Sequence, residues 1–123
     1  DAFADAGGIG ALLRASQTHE TDSAIQQAVC AVIMNLARSA ADKKRIASEG
    51  GIGRVLRAME VHEGAAGVQE EGCGALRSLA VDAANQKRIA SEGGIGRVVR
   101  AMALHEGAAG VQEKGRGALD SLQ

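Results

Sequence analysis

The stretch Lys87-Arg88-Ile89-Ala90-Ser91-Glu92-Gly93-Gly94-Ile95-Gly96 repeats, letter for letter, the residues from Lys44 to Gly53. A worn copy opens the chain, with Phe3, Gly7, Gly8, Ile9 and Gly10 in the matching places. Gly7, Gly50 and Gly93 therefore stand 43 residues apart. A fixed internal period of this size marks one recurring unit that buries its apolar faces only against its neighbours.

Outward from each glycine pair, apolar residues fall at i, i+3, i+4 and i+7. They are Ile52, Val55, Leu56 and Met59 in the second copy, and Ile95, Val98, Val99 and Met102 in the third. The first copy gives Ile9, Leu12, Leu13 and Ser16. This spacing predicts a helix of about three turns with one buried stripe. His19, His62 and His105 close these helices, and short loops follow. A longer helix is predicted to begin near Ser23, Ala66 and Ala109. Its buried stripe is expected at Ile25, Val29, Val32, Ile33 and Leu36, and in the next copy at Val68, Gly72, Ala75, Leu76 and Leu79. Gly72 and Gly74 cost about 1 kcal/mol each against Ala inside a helix, which points to close approach of a neighbouring helix there. Ser39 or Asp42, and Asp82 or Asn85, are candidate caps for a short helix carrying Ile46 or Ile89. Residues 1–6 read as the tail of another such helix. The units span about 1–40, 41–83 and 84–123, within a single domain over 1–123.

The bulk numbers agree with one small all-α domain. The chain has 123 residues, a net charge of −1, 17 glycines, no proline and 1% aromatics, so Ala, Leu, Val and Ile must build the core. The balanced charge argues against broad electrostatic capture of nucleic acid or membrane, and no apolar run is long enough to cross a bilayer. Cys30 and Cys73 occupy the same place in successive units. Stacked helices lie about 8–10 Å apart and a disulfide needs Cα atoms within about 7 Å, so both are expected as reduced core thiols. That fits an intracellular setting, the cytoplasm first and the nucleus second.

The unit resembles the armadillo repeat. The likeness is carried by the short helix ending in Ile-Ala-Ser-Glu-Gly-Gly, by the Gly-Gly-Ile start of the next helix, and by Gly74-Ala75-Leu76-Arg77-Ser78-Leu79-Ala80. Ala31-Val32-Ile33-Met34-Asn35-Leu36-Ala37 fits that last pattern best, because it has the Asn. The resemblance covers the whole chain. It implies a right-handed α-solenoid, an armadillo-type superhelix of three three-helix repeats, acting as a non-catalytic protein-interaction scaffold without a cofactor. Armadillo units often carry Pro after Gly-Gly-Ile; here Gly10, Gly53 and Gly96 take that place.

In peptide-binding armadillo proteins such as importin-α, an Asn on each third helix clamps an extended peptide, and a Trp four residues earlier sandwiches its side chains. The matching places here hold Asn35, Ser78 and Ser121, and Ala31, Gly74 and Gly117. One Asn survives and no Trp does, so a nuclear-localisation-signal groove is not expected. Arg38, Glu71, Arg77 and Lys114 lie beside the same line. The expected site is thus a shallow, mixed-charge concave face of Asn35, Arg38, Glu71, Arg77, Ser78, Lys114 and Ser121 that takes a protein or peptide segment. The alternative is a structural spacer from a longer array.

Other patterns point to structure rather than chemistry. Three ligands to one zinc must converge at about 2.0–2.1 Å, which histidines one repeat apart do not do. They are expected as helix-end residues near a C-terminal dipole. Gly51-Ile52-Gly53 and Gly94-Ile95-Gly96 lack the third glycine and the preceding strand of a dinucleotide fingerprint. Lys43-Lys44-Arg45 reads as a solvated face balanced by Glu49. The last long helix replaces Cys73, Arg77 and Ala80 by Arg116, Asp120 and Gln123, a polar stripe suited to a capping unit. At the front, Phe3, Ile9, Leu12 and Ile33 are expected partly open, which favours weak association between copies through exposed repeat ends.

Overall fold

The computed structural model describes residues 7–123, and among them there are eight α-helices and no strand. In chain order they are α1 (Gly8–Thr18), α2 (Ser23–Leu36), α3 (Ala40–Ser48), α4 (Gly51–Val61), α5 (Ala66–Leu79), α6 (Ala83–Ser91), α7 (Gly94–Leu104) and α8 (Ala109–Leu122). Phe3 and the expected helix tail at 1–6 lie outside the described residues.

The glycine pairs act as the sequence predicts, and the first of each pair carries the strain. Gly50 has φ 92° and Gly93 has φ 88°, so each turns the chain in one residue from a short helix into a medium one. Left-handed backbone of this kind suits glycine, which has no Cβ to collide with the carbonyl. Gly51 is needed for space instead, since a Cβ there would stand 2.9 Å from the Ile46 carbonyl oxygen. Gly53 and Gly96 have no neighbour that a Cβ would meet.

The candidate caps resolve to one residue per helix. Ser39 Oγ accepts the Asp42 N–H at 3.0 Å, and an Asp82 carboxylate oxygen accepts the Asn85 N–H at 3.0 Å. The long helix α2 is capped by Asp22, taken in sequence for plain loop, at 3.1 Å from the Ile25 N–H. Alanine stands at the same place before α5 and α8, with no side-chain cap.

The long helices pack in chain order, α2 on α5 and α5 on α8, and these are the most extensive helix pairings in the molecule. One connected apolar core runs from Ile9 to Leu122. The expected long-helix stripe is buried at Val29 and Ile33, and at Val68, Ala75, Leu76 and Leu79. Ile25, Val32 and Leu36 are half-buried. The expected close approach at the helix glycines is made by methionine side chains. A Cβ on Gly72 would meet the Met59 side chain at 2.6 Å, and the space over Gly74 is filled by Met34. Met102 lies over Gly115 in the same way. In the first unit these two positions hold Ser16 and Val29, both buried, so the bulky member has moved to the other helix.

Three expectations are corrected. Ile9 and Ile33 are closed, at 1% and 0% exposure, while Leu12 is partly open as expected. Open apolar surface lies on α7, where Ile95 is 39% and Val99 51% exposed, and at Val81 after α5. Lys43 is not solvated: it is buried, and its Nζ donates to the Arg38 carbonyl at 3.1 Å.

A glutamine amide fastens each long helix to the medium helix before it. Gln69 is 1% exposed, and its Nε2 donates to the Met59 carbonyl at 3.0 Å and the His62 carbonyl at 2.9 Å. Gln26 and Gln112 make the matching bonds to Ser16 and His19, and to Met102 and His105. Helix-end carbonyls have no partner within their own helix, and these amides supply one.

Gly53→Ala should stabilise the fold by about 0.5 kcal/mol, through helix propensity and a less disordered unfolded chain. Gly50→Ala should cost about 1 kcal/mol, because the left-handed backbone stays obligatory. Urea unfolding followed by circular dichroism separates the two signs. By the same measurement Gln69→Ala should cost about 2–3 kcal/mol, since it leaves a cavity and a bare Met59 carbonyl, while the His62 carbonyl keeps the Ala65 N–H.

Candidate functional site

The face formed by α2, α5 and α8 carries a hollow of about 460 Å³ lined by Met34, Gly74, Arg77, Ser78, Val81, Lys114 and Ser121. Gly74 is part of its lining, and the space over Gly74 and over Gly117 on α8 is taken by Met34 and by the Arg77 guanidinium. Ser78 and Ser121 come to it because each stands at the same place in successive long helices. Arg77 is exposed and has no ion pair among the described residues. The hollow therefore offers two hydroxyls, an uncommitted guanidinium and a sulfur-lined apolar wall.

Of the seven residues expected at this face, Arg77, Ser78, Lys114 and Ser121 meet in the hollow. Asn35 and Arg38 are exposed but do not line it. Glu71 is drawn inward, with its side chain 16% exposed, and Lys114 Nζ lies 3.4 Å from its Oε1 and 3.3 Å from Glu70 Oε2. Its other oxygen, Oε2, is buried without a hydrogen-bond partner. Lys114 thus serves two carboxylates and is held in place at the rim. Sequence reasoning missed Met34, an apolar residue next to the expected Asn35.

The histidines are the C-caps of α1, α4 and α7, and two of them do more. His62 Nε2 lies 2.7 Å from the Glu20 carbonyl oxygen, and His105 Nε2 lies 2.6 Å from that of Glu63. The same two glutamates take arginines from the next unit. Glu20 pairs with Arg57, and Glu63 Oε2 with Arg97 and Arg100 at 2.7 Å each. Each imidazole and each carboxylate is thereby committed to holding neighbouring units together.

Two further hollows repeat at the 43-residue spacing on the medium-helix side. One, of about 410 Å³, is edged by Arg14, Glu49 and Arg54; the other, of about 350 Å³, by Arg57, Glu92 and Arg97. Their arginines at 54, 57 and 97 are already bonded to Ser16, to Glu20 and Glu60, and to Glu63. Less of their polar capacity is left for a ligand than at the long-helix face.

Cys30 and Cys73 are free and buried, and burial pushes both thiols up to about 12. At neutral pH they are protonated, and a thiol is neither a nucleophile nor a metal ligand. Among the described residues no group of three or more His, Cys, Asp or Glu could hold a metal ion, and no helix is long and apolar enough to cross a membrane. No protein-family model, curated protein or solved structure matches the chain.

The junction carboxylates give a pH signature. A hydrogen bond from Arg57 holds Glu20 below its ordinary 4.5, one from Arg100 does the same for Glu63, and Lys44, followed by the Asn85 N–H, holds Asp82 below 3.8. The unfolded chain takes up these protons at the ordinary values, and the folded chain only at lower pH. Their stabilisation is therefore full above about pH 5 and lost as pH falls through the carboxylate range. Calorimetry from pH 7 to 3 should show the melting temperature falling below about pH 4.5, with a shallower fall for Glu63→Gln.

Proposed function

We propose that the chain is an armadillo-type solenoid, three three-helix units in a right-handed superhelix, that binds an extended protein or peptide segment on the α2–α5–α8 face. The activity is non-catalytic and needs no cofactor, and the setting is the cytoplasm or nucleus. The observation that carries this reading is the meeting of Arg77, Ser78, Lys114 and Ser121 in one hollow, beside Met34 and Gly74. Solenoids present such faces because each unit contributes one helix to a shared surface. Hydroxyls and a guanidinium can hold the backbone and polar side chains of an extended ligand, while Met34 adapts to apolar ones.

A second reading, a structural spacer that associates with its like, draws on α7, where Ile95, Val99 and Leu104 are exposed. Exposed apolar clusters favour association.

The two part in one experiment. Peptides selected from a random decapeptide library should protect 74–81 and 114–121 from hydrogen–deuterium exchange. Arg77→Glu should weaken binding about tenfold or more, and Asn35→Ala less, with the helical circular dichroism unchanged. A spacer yields no footprint there, and equal capture by Arg77→Glu and the parent removes the groove assignment.

A further inference from the structure

Both junctions between units are closed by the same groups. At the first, the Glu20 carbonyl meets His62 Nε2 at 2.7 Å and the Glu20 carboxylate takes Arg57. At the second, the Glu63 carbonyl meets His105 Nε2 at 2.6 Å and its carboxylate takes Arg97 and Arg100. The glutamate stands in the turn after one medium helix, and its partners belong to the next medium helix and its C-cap. Glu20, Glu63, His62 and His105 are all half-buried.

The two halves of this junction recur once more, on the outermost units and apart. Glu106 stands one unit beyond Glu63, and Arg14 and His19 stand one unit before Arg57 and His62. All three are exposed, and none of their side chains has a hydrogen bond or ion pair among the described residues. Arg14 shares a hollow with Glu49 and Arg54 but bonds to neither. The apolar surface follows the same rule. Ile9 and Ile52 are 1% and 0% exposed, and Ile95 in the matching place is 39%. Leu13 is 6% exposed and Leu56 half-buried, each facing the glycine turn of the following unit, whereas Val99 is 51% exposed. The third unit thus displays, uncovered, the acceptor and the apolar pair with which the first two seat the unit after them.

We infer that the α7 end of one molecule seats the α1 end of a second copy, head to tail and in the register of the internal junctions. Arg14 then takes the Glu106 carboxylate as Arg57 takes Glu20, and His19 meets the Glu106 carbonyl. The remaining charges agree with this register. Arg97 approaches Glu60 at 3.8 Å inside the molecule; in the new contact Ala11 and Ala103 hold those two places, so no charge is left facing a missing partner. Arg97 and Arg100 on the receiving end are already taken by Glu63. Along the long helices Glu70 lies over Gly110 and Arg77 over Gly117; the matching pairs are Glu113 with Ala24 and Asp120 with Ala31, again without like charges opposed. Exposed Arg116 replaces buried Cys73, so the long-helix half of the contact is looser than inside and the α7 half carries it. The two surfaces differ, so each added copy presents a fresh α7 end and growth is open-ended. This inference rests on the reading of α7 as an association surface, and it adds the occupant and the direction.

Sedimentation velocity of the 123-residue chain from 10 µM to 1 mM tests it. The mean mass should rise with concentration and pass that of a dimer. Val99→Glu blocks the α7 end and Arg14→Glu the α1 end, and each should weaken association at least tenfold. The melting temperature should stay put in both, because both side chains already meet water. Mixed in equal amounts, the two variants should form a one-to-one pair and stop there, since one intact α7 end meets one intact α1 end. Arg14→Glu associating within twofold of the parent, a parent that stops at a dimer, or a mixture that stays monomeric overturns the head-to-tail contact and leaves association through α7 standing. A parent that is monomeric at 1 mM, or Val99→Glu associating like the parent, defeats both.

Discussion

A helix leaves its last carbonyls without partners, and this molecule answers that deficit with a buried glutamine. Gln69 reaches from the first turn of α5 to the carbonyls of Met59 and His62 at the end of α4. The bond fixes the medium helix against the long one at a point where neither could slip without baring polar groups. Gln26 and Gln112 do the same on either side. Once that angle is set three times over, the long helices have a defined face to turn toward each other and a defined face to turn away.

Between units the fastening is of another kind. The apolar contact of α2 with α5 and α5 with α8 is the most extensive between units, and it has little directional preference. Direction comes from the polar links at the edges: the carbonyls of Glu20 and Glu63 to His62 and His105, their carboxylates to arginines, and Arg88 to the Ala47 carbonyl at 2.8 Å. Between the same two short helices as the Arg88 bond, Asn85 Nδ2 donates to the Lys43 carbonyl at 3.2 Å, and it also donates to the Leu79 carbonyl at 3.1 Å. Exposed ion pairs contribute little each, but they recur at the same register and so favour one stacking offset over its neighbours. That offset is what brings Ser78 level with Ser121 and lays Arg77 over Gly117.

The glycines of the long helices now have a physical account. They weaken helices, and the loss is offset by long side chains lying where a Cβ would stand, methionines over Gly72, Gly74 and Gly115 and Arg77 over Gly117. A flexible side chain over a glycine fills space without fixing shape. The long-helix face is consequently shallow and adaptable rather than sharply moulded, which suits an extended ligand better than a compact one.

Much of this was legible in the letters. Period, helix starts, the left-handed glycines and the buried stripe of the long helices follow from local spacing, because the 3.6-residue repeat and the needs of a helix end act within a few residues. Ser78 and Ser121 meet for the same reason, being one unit apart, and Arg77 and Lys114 come with them on the same two helices. The rest depended on partners distant in sequence. Nothing local marks Gln69 as a lock, Lys43 as buried or Glu71 as drawn inward. Ile52 and Ile95 sit in the same ten letters, yet one is 0% and the other 39% exposed. The letters alone set where each helix begins and which way its apolar stripe faces. What covers that stripe was decided by tertiary structure, since burial belongs to a residue's neighbours and not to the residue.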